Sequence, residues 1–141
     1  MKLLDVNVVL AAHRADHVDH GVARGWLDEL LSHGEQFGVP WLVWWSFLRL
    51  SSHPRIFAVP TPVNAGMSFI AAIRAQPSHI AVEPGPQHVE FLQDACLRGD
   101  ATANLMPDAV LVALATEHGA AVASFDRDFA RFDGLEWILP S

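Results

Sequence analysis

The stretch Leu3-Leu4-Asp5-Val6-Asn7-Val8-Val9-Leu10 is apolar except at Asp5 and Asn7. An unbroken run of this kind reads as a strand buried on both faces, as in a parallel sheet covered by helices. The expected first strand spans Leu3 to Leu10, with Asp5 inside it. A carboxylate placed in such company needs a reason.

The segments that follow alternate in type. Asp16 is the expected cap of a first helix, in which Val18, Val22, Trp26, Leu27, Leu30 and Leu31 recur at helical spacing up to His33-Gly34. Phe37 to Val43 reads as a second strand, short or at an edge because of Pro40. Trp44 to Leu50 reads as a helix stopped by Ser51-Ser52-His53-Pro54, and Asn64 to Ala75 as another, following Pro60 and Pro62. His79 to Val82 is an expected third strand, and Pro86 to Leu97 an amphipathic helix marked by Val89, Leu92 and Cys96. Asp108 to His118 is apolar almost all round, which suits a helix sunk against a sheet, with Gly119 as its C-cap. Ala120 to Phe125 and Leu135 to Leu139 close the chain as strands. This alternation implies one α/β domain over residues 1–141 with a parallel sheet and right-handed crossovers.

Composition narrows the class of function. The chain has 141 residues, of which 51% are hydrophobic and 18% charged, so it is a packed domain and not a disordered tract. No apolar run approaches the roughly 20 residues needed to cross a bilayer. Met1-Lys2-Leu3-Leu4-Asp5 reaches an acid too soon to begin a signal peptide. Cys96 stands alone, which excludes an intrachain disulfide and a cysteine metal cluster. A cytoplasmic protein is expected. The net charge of −7, with Lys2 the one lysine, argues against holding nucleic acid by an overall positive field. Any such binding must use a local arginine patch, a bound cation or a second subunit. Five Trp and eight Phe make a small domain unusually apolar, so part of its surface is expected to be buried against a partner.

Three acids sit in apolar surroundings: Asp5 in the first strand, Asp108 opening the most hydrophobic helix, and Asp126 after Ala121-Val122-Ala123-Ser124-Phe125. In an open parallel sheet, strand ends and helix N-termini converge along one edge, where ligands bind. Three carboxylates gathered there repel one another, and a hard divalent cation such as Mg²⁺ or Mn²⁺ relieves the conflict. Such an ion activates water and stabilises charge on a phosphodiester. Each acid also has an ordinary reading. Asp5 ends a strand, Asp108 follows Pro107 in a first helical turn, and Asp126 caps a turn or pairs with arginine. Those readings do not explain why all three map to one edge.

Leu3-Leu4-Asp5-Val6-Asn7-Val8-Val9, Pro107-Asp108-Ala109-Val110-Leu111-Val112-Ala113-Leu114-Ala115 with Glu117-His118-Gly119, and Ser124-Phe125-Asp126-Arg127-Asp128-Phe129-Ala130-Arg131-Phe132 resemble, in order, the acidic motifs of PIN-domain ribonucleases. Gly134-Leu135-Glu136-Trp137 fits the VapC-like toxin branch. The resemblance implies a PIN-like three-layer α/β/α fold with a central parallel sheet, Mg²⁺ or Mn²⁺, and endonucleolytic cleavage of RNA that leaves a 5′-phosphate and a 3′-hydroxyl. It makes Asp5 and Asp108 the main metal ligands, with Asp126 completing the catalytic cluster directly or through water. Asp128 is an outer candidate, Asn7 orients Asp5 or the attacking water, and Asn104 caps a helix or meets substrate. It further implies a homodimer, a VapB-like antitoxin whose peptide fills the groove, and a transfer or ribosomal RNA substrate. One position departs from the family: Ser46, in Ser46-Phe47-Leu48-Arg49, stands where a glutamate is usual. A hydroxyl is a weak ligand, so one well-bound ion is expected in place of two, and a non-catalytic RNA- or antitoxin-binding scaffold is the alternative function.

Other residues carry weaker expectations. His13, His17 and His20 with Asp16 and Asp19 suggest a Zn²⁺ site, against a plainer reading as polar residues around a helix start. His88 has no evident partner to orient it as a base. Arg49, Arg55, Arg127 and Arg131 suit phosphate contacts, against surface pairing with acids such as Asp128 and Asp133. Trp41, Trp44, Trp45, Phe47 and Leu48 are too many large groups for one helix face, so some must turn outward to a subunit or antitoxin interface, with base stacking the other use. A haloacid-dehalogenase-type phosphatase also starts with an acid after its first strand, but it needs a second aspartate two residues on, where this chain has Asn7.

Overall fold

The computed structural model describes residues 1–141. Four parallel strands form one sheet in the order β2-β1-β3-β4. They are β1 (Lys2–Leu4), β2 (Phe37–Gly38), β3 (Ala121–Ala123) and β4 (Trp137–Ile138). Leu3 and Leu4 of β1 pair with Val122 and Ala123 of β3, and all four are fully buried. Six α-helices surround the sheet: α1 (Val6–His13), α2 (His20–Ser32), α3 (Trp41–Ser51), α4 (Val63–Arg74), α5 (His88–Gly99) and α6 (Met106–His118). They pack in two groups, α1 with α2 and α3 and α3 with α4 in one, α5 with α6 in the other, and α6 rests on β1 and β3. One cluster of 30 buried apolar residues joins both groups to the sheet. No helix is long and apolar enough to cross a membrane.

The expected α/β class and parallel sheet are what the structure has, while several boundaries move. The run Leu3–Leu10 is a strand only to Leu4 and a helix from Val6, because Asp5 caps that helix with its own side chain. A strand and a helix buried on all sides look alike in sequence, and only the cap separates them. Asp16 caps nothing. It is gripped by Arg14 through Nε (2.8 Å) and Nη2 (2.7 Å), and α2 starts at His20, leaving Val18 92% exposed. Phe37–Val43 is a strand for two residues only, at the sheet edge, since Pro40 sits at the N-cap of α3 and the helix begins at Trp41. His79–Val82 adds no strand. A single parallel bridge, Phe37 to His79, is all that forms there. The last helix matches its reading, ending at Gly119 with a φ of 62°, a left-handed cap that suits glycine.

The strand order fixes where a site can lie. Chain leaving β1 crosses to β2 on one side, whereas β3 and β4 lie on the other, so the order reverses between β1 and β3. A crevice forms beyond the carboxyl ends of strands at such a reversal. Asp5 directly follows β1, and Ser124, Phe125 and Asp126 directly follow β3.

Candidate active site

Asp5 is 8% exposed and every oxygen is engaged. The Val6 N–H donates to Oδ1 (2.6 Å), while Asn7 Nδ2 (2.9 Å) and Ser124 Oγ (2.7 Å) both donate to Oδ2. The Ser124 hydroxyl in turn accepts from Asn7 Nδ2 (2.9 Å) and from the Asp126 N–H (3.0 Å). One donated and two accepted bonds exhaust a hydroxyl. Asn7 Oδ1 accepts from the Phe125 N–H (3.1 Å), so both ends of its amide tie the start of α1 to the chain after β3. Burial raises the Asp5 carboxyl above its ordinary value, opposed by the Ser124 and Val6 bonds, with the Asp126 charge adding to the rise and Asn7 opposing it.

Asp108 lies in the first turn of α6, after Pro107, and faces the same crevice. Its carboxyl is pushed up to about 7, first by desolvation and then by the charges of Asp5, Asp126 and Asp128. No hydrogen bond offsets these effects. Asp5 and Asp108 line one cavity of about 60 Å³ together with Val6, Leu42, Val43 and Ser46. Ser46, on α3, therefore lines the same cavity as the two acids, at the position where the family's glutamate is expected. Asp126 is exposed at the rim and turns one oxygen inward on its own chain, where Oδ1 accepts from the Asp128 N–H (2.8 Å) at the start of a 3₁₀ turn over Arg127–Arg131. Asp128 is exposed beside it.

The donor chemistry suits a hard cation: carboxylate and hydroxyl oxygens, with burial first and mutual repulsion second pushing Asp108 up to about 7. As the side chains stand, no three His, Cys, Asp or Glu residues converge tightly enough to grip an ion. Asp5 and Asp108 share the cavity wall, and Asp126 meets them through its charge and through Ser124. Ser124, fully buried, was the residue that sequence reasoning passed over as a contributor. Its signal was a hydroxyl in an otherwise apolar strand, two residues before an acid.

The remaining residues fall elsewhere. His13, His17 and His20 do not share a ligand-binding face. His13 Nε2 meets Thr61 Oγ1 (3.1 Å), His17 Nδ1 accepts from the Asp19 N–H (3.1 Å), and His20 Nδ1 meets the Ala11 carbonyl (2.8 Å). His88 does have an orienting partner, contrary to expectation: Glu117 Oε2 lies 3.0 Å from Nδ1, and Glu117 Oε1 accepts from the Gly85 N–H (2.7 Å). Glu117 is nine residues beyond Asp108 on α6, roughly 13 Å along the axis, so this pair lies outside the crevice. Arg49, Arg55, Arg127 and Arg131 form no ion pair, in contrast to Lys2, Arg14, Arg24 and Arg98. Arg49 instead stacks over the Trp45 ring at 5.7 Å. On α3, Trp44 and Phe47 are buried while Trp41 and Trp45 are 53% and 64% exposed, as the crowding of that helix required. Asn104 lies exposed in the 3₁₀ turn Ala103–Leu105 that precedes α6, with no side-chain cap from Thr102 or Leu105 at either helix start.

Comparison with known proteins identifies the family. The family model of the PIN domain matches residues 2–135. The chain is 51% identical over 140 residues to Ribonuclease VapC25 of Mycobacterium tuberculosis, covering 99% of both chains. Among solved structures, it superposes on Mycobacterium tuberculosis VapC20, described as a sarcin-ricin loop cleaving toxin, with a TM-score of 0.71 at 19% identity over 100% of both chains. It also superposes on VapBC2 from Rickettsia felis, solved on a DNA fragment from its promoter, with a TM-score of 0.72 at 10% identity over 99% of this chain and 98% of that one. Those two likenesses establish the fold, and the identity to VapC25 establishes the branch. The protein belongs to the PIN-domain family, among the VapC ribonuclease toxins of VapBC toxin–antitoxin systems.

Proposed function

We propose that the chain is a metal-dependent endoribonuclease whose Asp5 and Asp108 hold one Mg²⁺ or Mn²⁺ ion in the crevice beyond β1 and β3. The carrying observation is the cavity shared by Asp5, Asp108 and Ser46, in which Asp108 is pushed up to about 7. When bound, the ion neutralises the acids and supplies Lewis-acid activation of water and phosphodiester. Asp126 contributes further negative charge at the rim. Ser124 and Asn7 hold the Asp5 carboxylate in one rotamer, so that it meets the cation without reorganising. Asp128 shapes the turn that presents Asp126. Arg127, Arg131 and Arg49, free of ion pairs, hold RNA phosphates against a chain whose net charge of −7 opposes RNA elsewhere.

Transfer RNA and ribosomal RNA loops are both candidate substrates, and VapC20, of the same fold, is described as a cleaver of the sarcin-ricin loop. The exposed Trp41 and Trp45 support a protein interface on α3, for a second subunit in a homodimer or for a VapB-like antitoxin. Mapping of RNA 5′ ends after expression of wild type beside Asp5→Asn tests the reading. New 5′-phosphate ends in the wild type alone are expected, with loss in vitro on adding EDTA. Equal cleavage by both proteins defeats it.

A second reading, a PIN scaffold that binds RNA or antitoxin without cutting, is favoured by Ser46 standing in the cavity wall in place of an acid. Calorimetric titration with Mn²⁺ separates the two. A non-catalytic scaffold shows no uptake that depends on Asp5 and Asp108.

A further inference from the structure

Two buried nitrogens lack any protein partner: Trp44 Nε1 and His79 Nε2. Both side chains line one cavity of about 20 Å³, walled also by Val39, Trp41, Arg74, Ala81, Val82 and Glu83. Trp44 is 1% exposed. Buried polar groups left alone are rare in native proteins, so two around one small space call for an occupant.

The chemistry of the two nitrogens specifies that occupant. An indole N–H only donates, whereas a neutral imidazole nitrogen donates or accepts according to tautomer. Burial, and then the Arg74 charge, hold His79 below its ordinary value and so favour the uncharged ring. The occupant must therefore accept from Trp44 and be able either to donate to His79 Nε2 or to accept from it, according to the tautomer. Size makes the final choice. Roughly 10–15 Å³ of such space admits one water, and the cavity offers little more than that. A carboxylate is too large.

We infer that a single ordered water sits in this cavity, accepting from Trp44 Nε1 and hydrogen-bonded to His79 Nε2. The water joins two parts of the fold that share little other polar contact. His79 bridges to Phe37 of β2 and packs its ring edge-on to Phe37 at 5.4 Å. Trp44 belongs to α3, the helix that also brings Leu42, Val43 and Ser46 to the candidate active site. One bound water thus anchors α3 to the edge of the sheet, independently of whether the crevice binds metal.

A high-resolution crystal structure reads the site directly. One oxygen about 2.7–3.2 Å from both nitrogens is expected. An empty cavity, or a protein acceptor such as Glu83 turned onto Trp44 Nε1, overturns the inference. Solution NMR gives a second measurement. The Trp44 indole proton, assigned by its loss in Trp44→Phe, should show a cross peak to a long-lived water, and that peak should vanish in His79→Phe. Its persistence in His79→Phe, or its absence from the wild type, also overturns the two-point assignment.

Discussion

Ser124 Oγ lies 2.7 Å from Asp5 Oδ2, a buried hydrogen bond that spans 119 positions of sequence and ties the end of β3 to the end of β1. It holds the most buried acid of the crevice through a hydroxyl whose bonding capacity is full. Ser124→Ala leaves Asp5 with one fewer donor and frees the Asp126 N–H. The expected outcome is a loss of about 10–100-fold in RNA cleavage or Mn²⁺ affinity, with a folded protein by circular dichroism. Ser124→Thr should restore most of it. Unchanged cleavage in Ser124→Ala would show that the bond is merely structural.

Asp108 gives a pH signature of known sign. Its carboxyl is raised from 3.8 to about 7 in the folded chain. The folded state therefore holds a proton that the unfolded state has released, and stability of the metal-free protein falls as pH rises from about 4 to about 7, then levels. Asp108→Asn removes that liability. At pH 8 without metal it should melt at a higher temperature than wild type while cutting no RNA, and its advantage should shrink as pH falls toward 4. A variant that melts lower at pH 8 contradicts the account.

Cation binding should respond to the same proton. Holding Asp108 ionised displaces it, so Mn²⁺ affinity is expected to rise with pH up to about 7 and then flatten, with proton release detectable as buffer-dependent heat. Affinity independent of pH between 5 and 8 would remove Asp108 from the ligand set.

Ser46 supplies the converse test. Ser46→Glu adds a carboxylate to the cavity that Asp5 and Asp108 line. Tighter Mn²⁺ binding and faster cleavage are expected if the natural site is short of a ligand. A fall in both would mean that the hydroxyl already belongs to a complete site.

Packing offers a prediction independent of chemistry. A Cβ on Gly99, at the end of α5, would run into the ring of Phe132, itself 2% exposed. Gly99→Ala should cost about 1–3 kcal/mol of stability, read as a lower midpoint in urea with an unchanged slope. No change in midpoint would mean that the ring moves aside freely.

The acids were legible in the sequence because charge in apolar company is conspicuous, and the parallel sheet was legible because strands and helices alternated. What escaped was local and depended on single side chains. Val6 to Leu10 is helical because Asp5 caps it, and nothing in an apolar run distinguishes a buried helix from a buried strand. Trp41 to Val43 has the composition of a strand, yet Pro40 stands at the N-cap of α3 and the helix begins at Trp41. His79 to Val82 had strand composition but only one bridge to pair with. Ser124 was invisible because its importance lies in a partner 119 residues away. Likewise, the orientation of His88 by Glu117 arises only when α5 folds onto α6.

The strands at both margins of the sheet, Phe37–Gly38 and Trp137–Ile138, are only two residues long. Each offers too few unpaired amides to recruit an extended segment from another molecule. Growth by strand addition therefore has little to build on at either margin. An incoming strand finds little backbone to pair with there, which disfavours the fibrous aggregation that longer exposed β-margins invite.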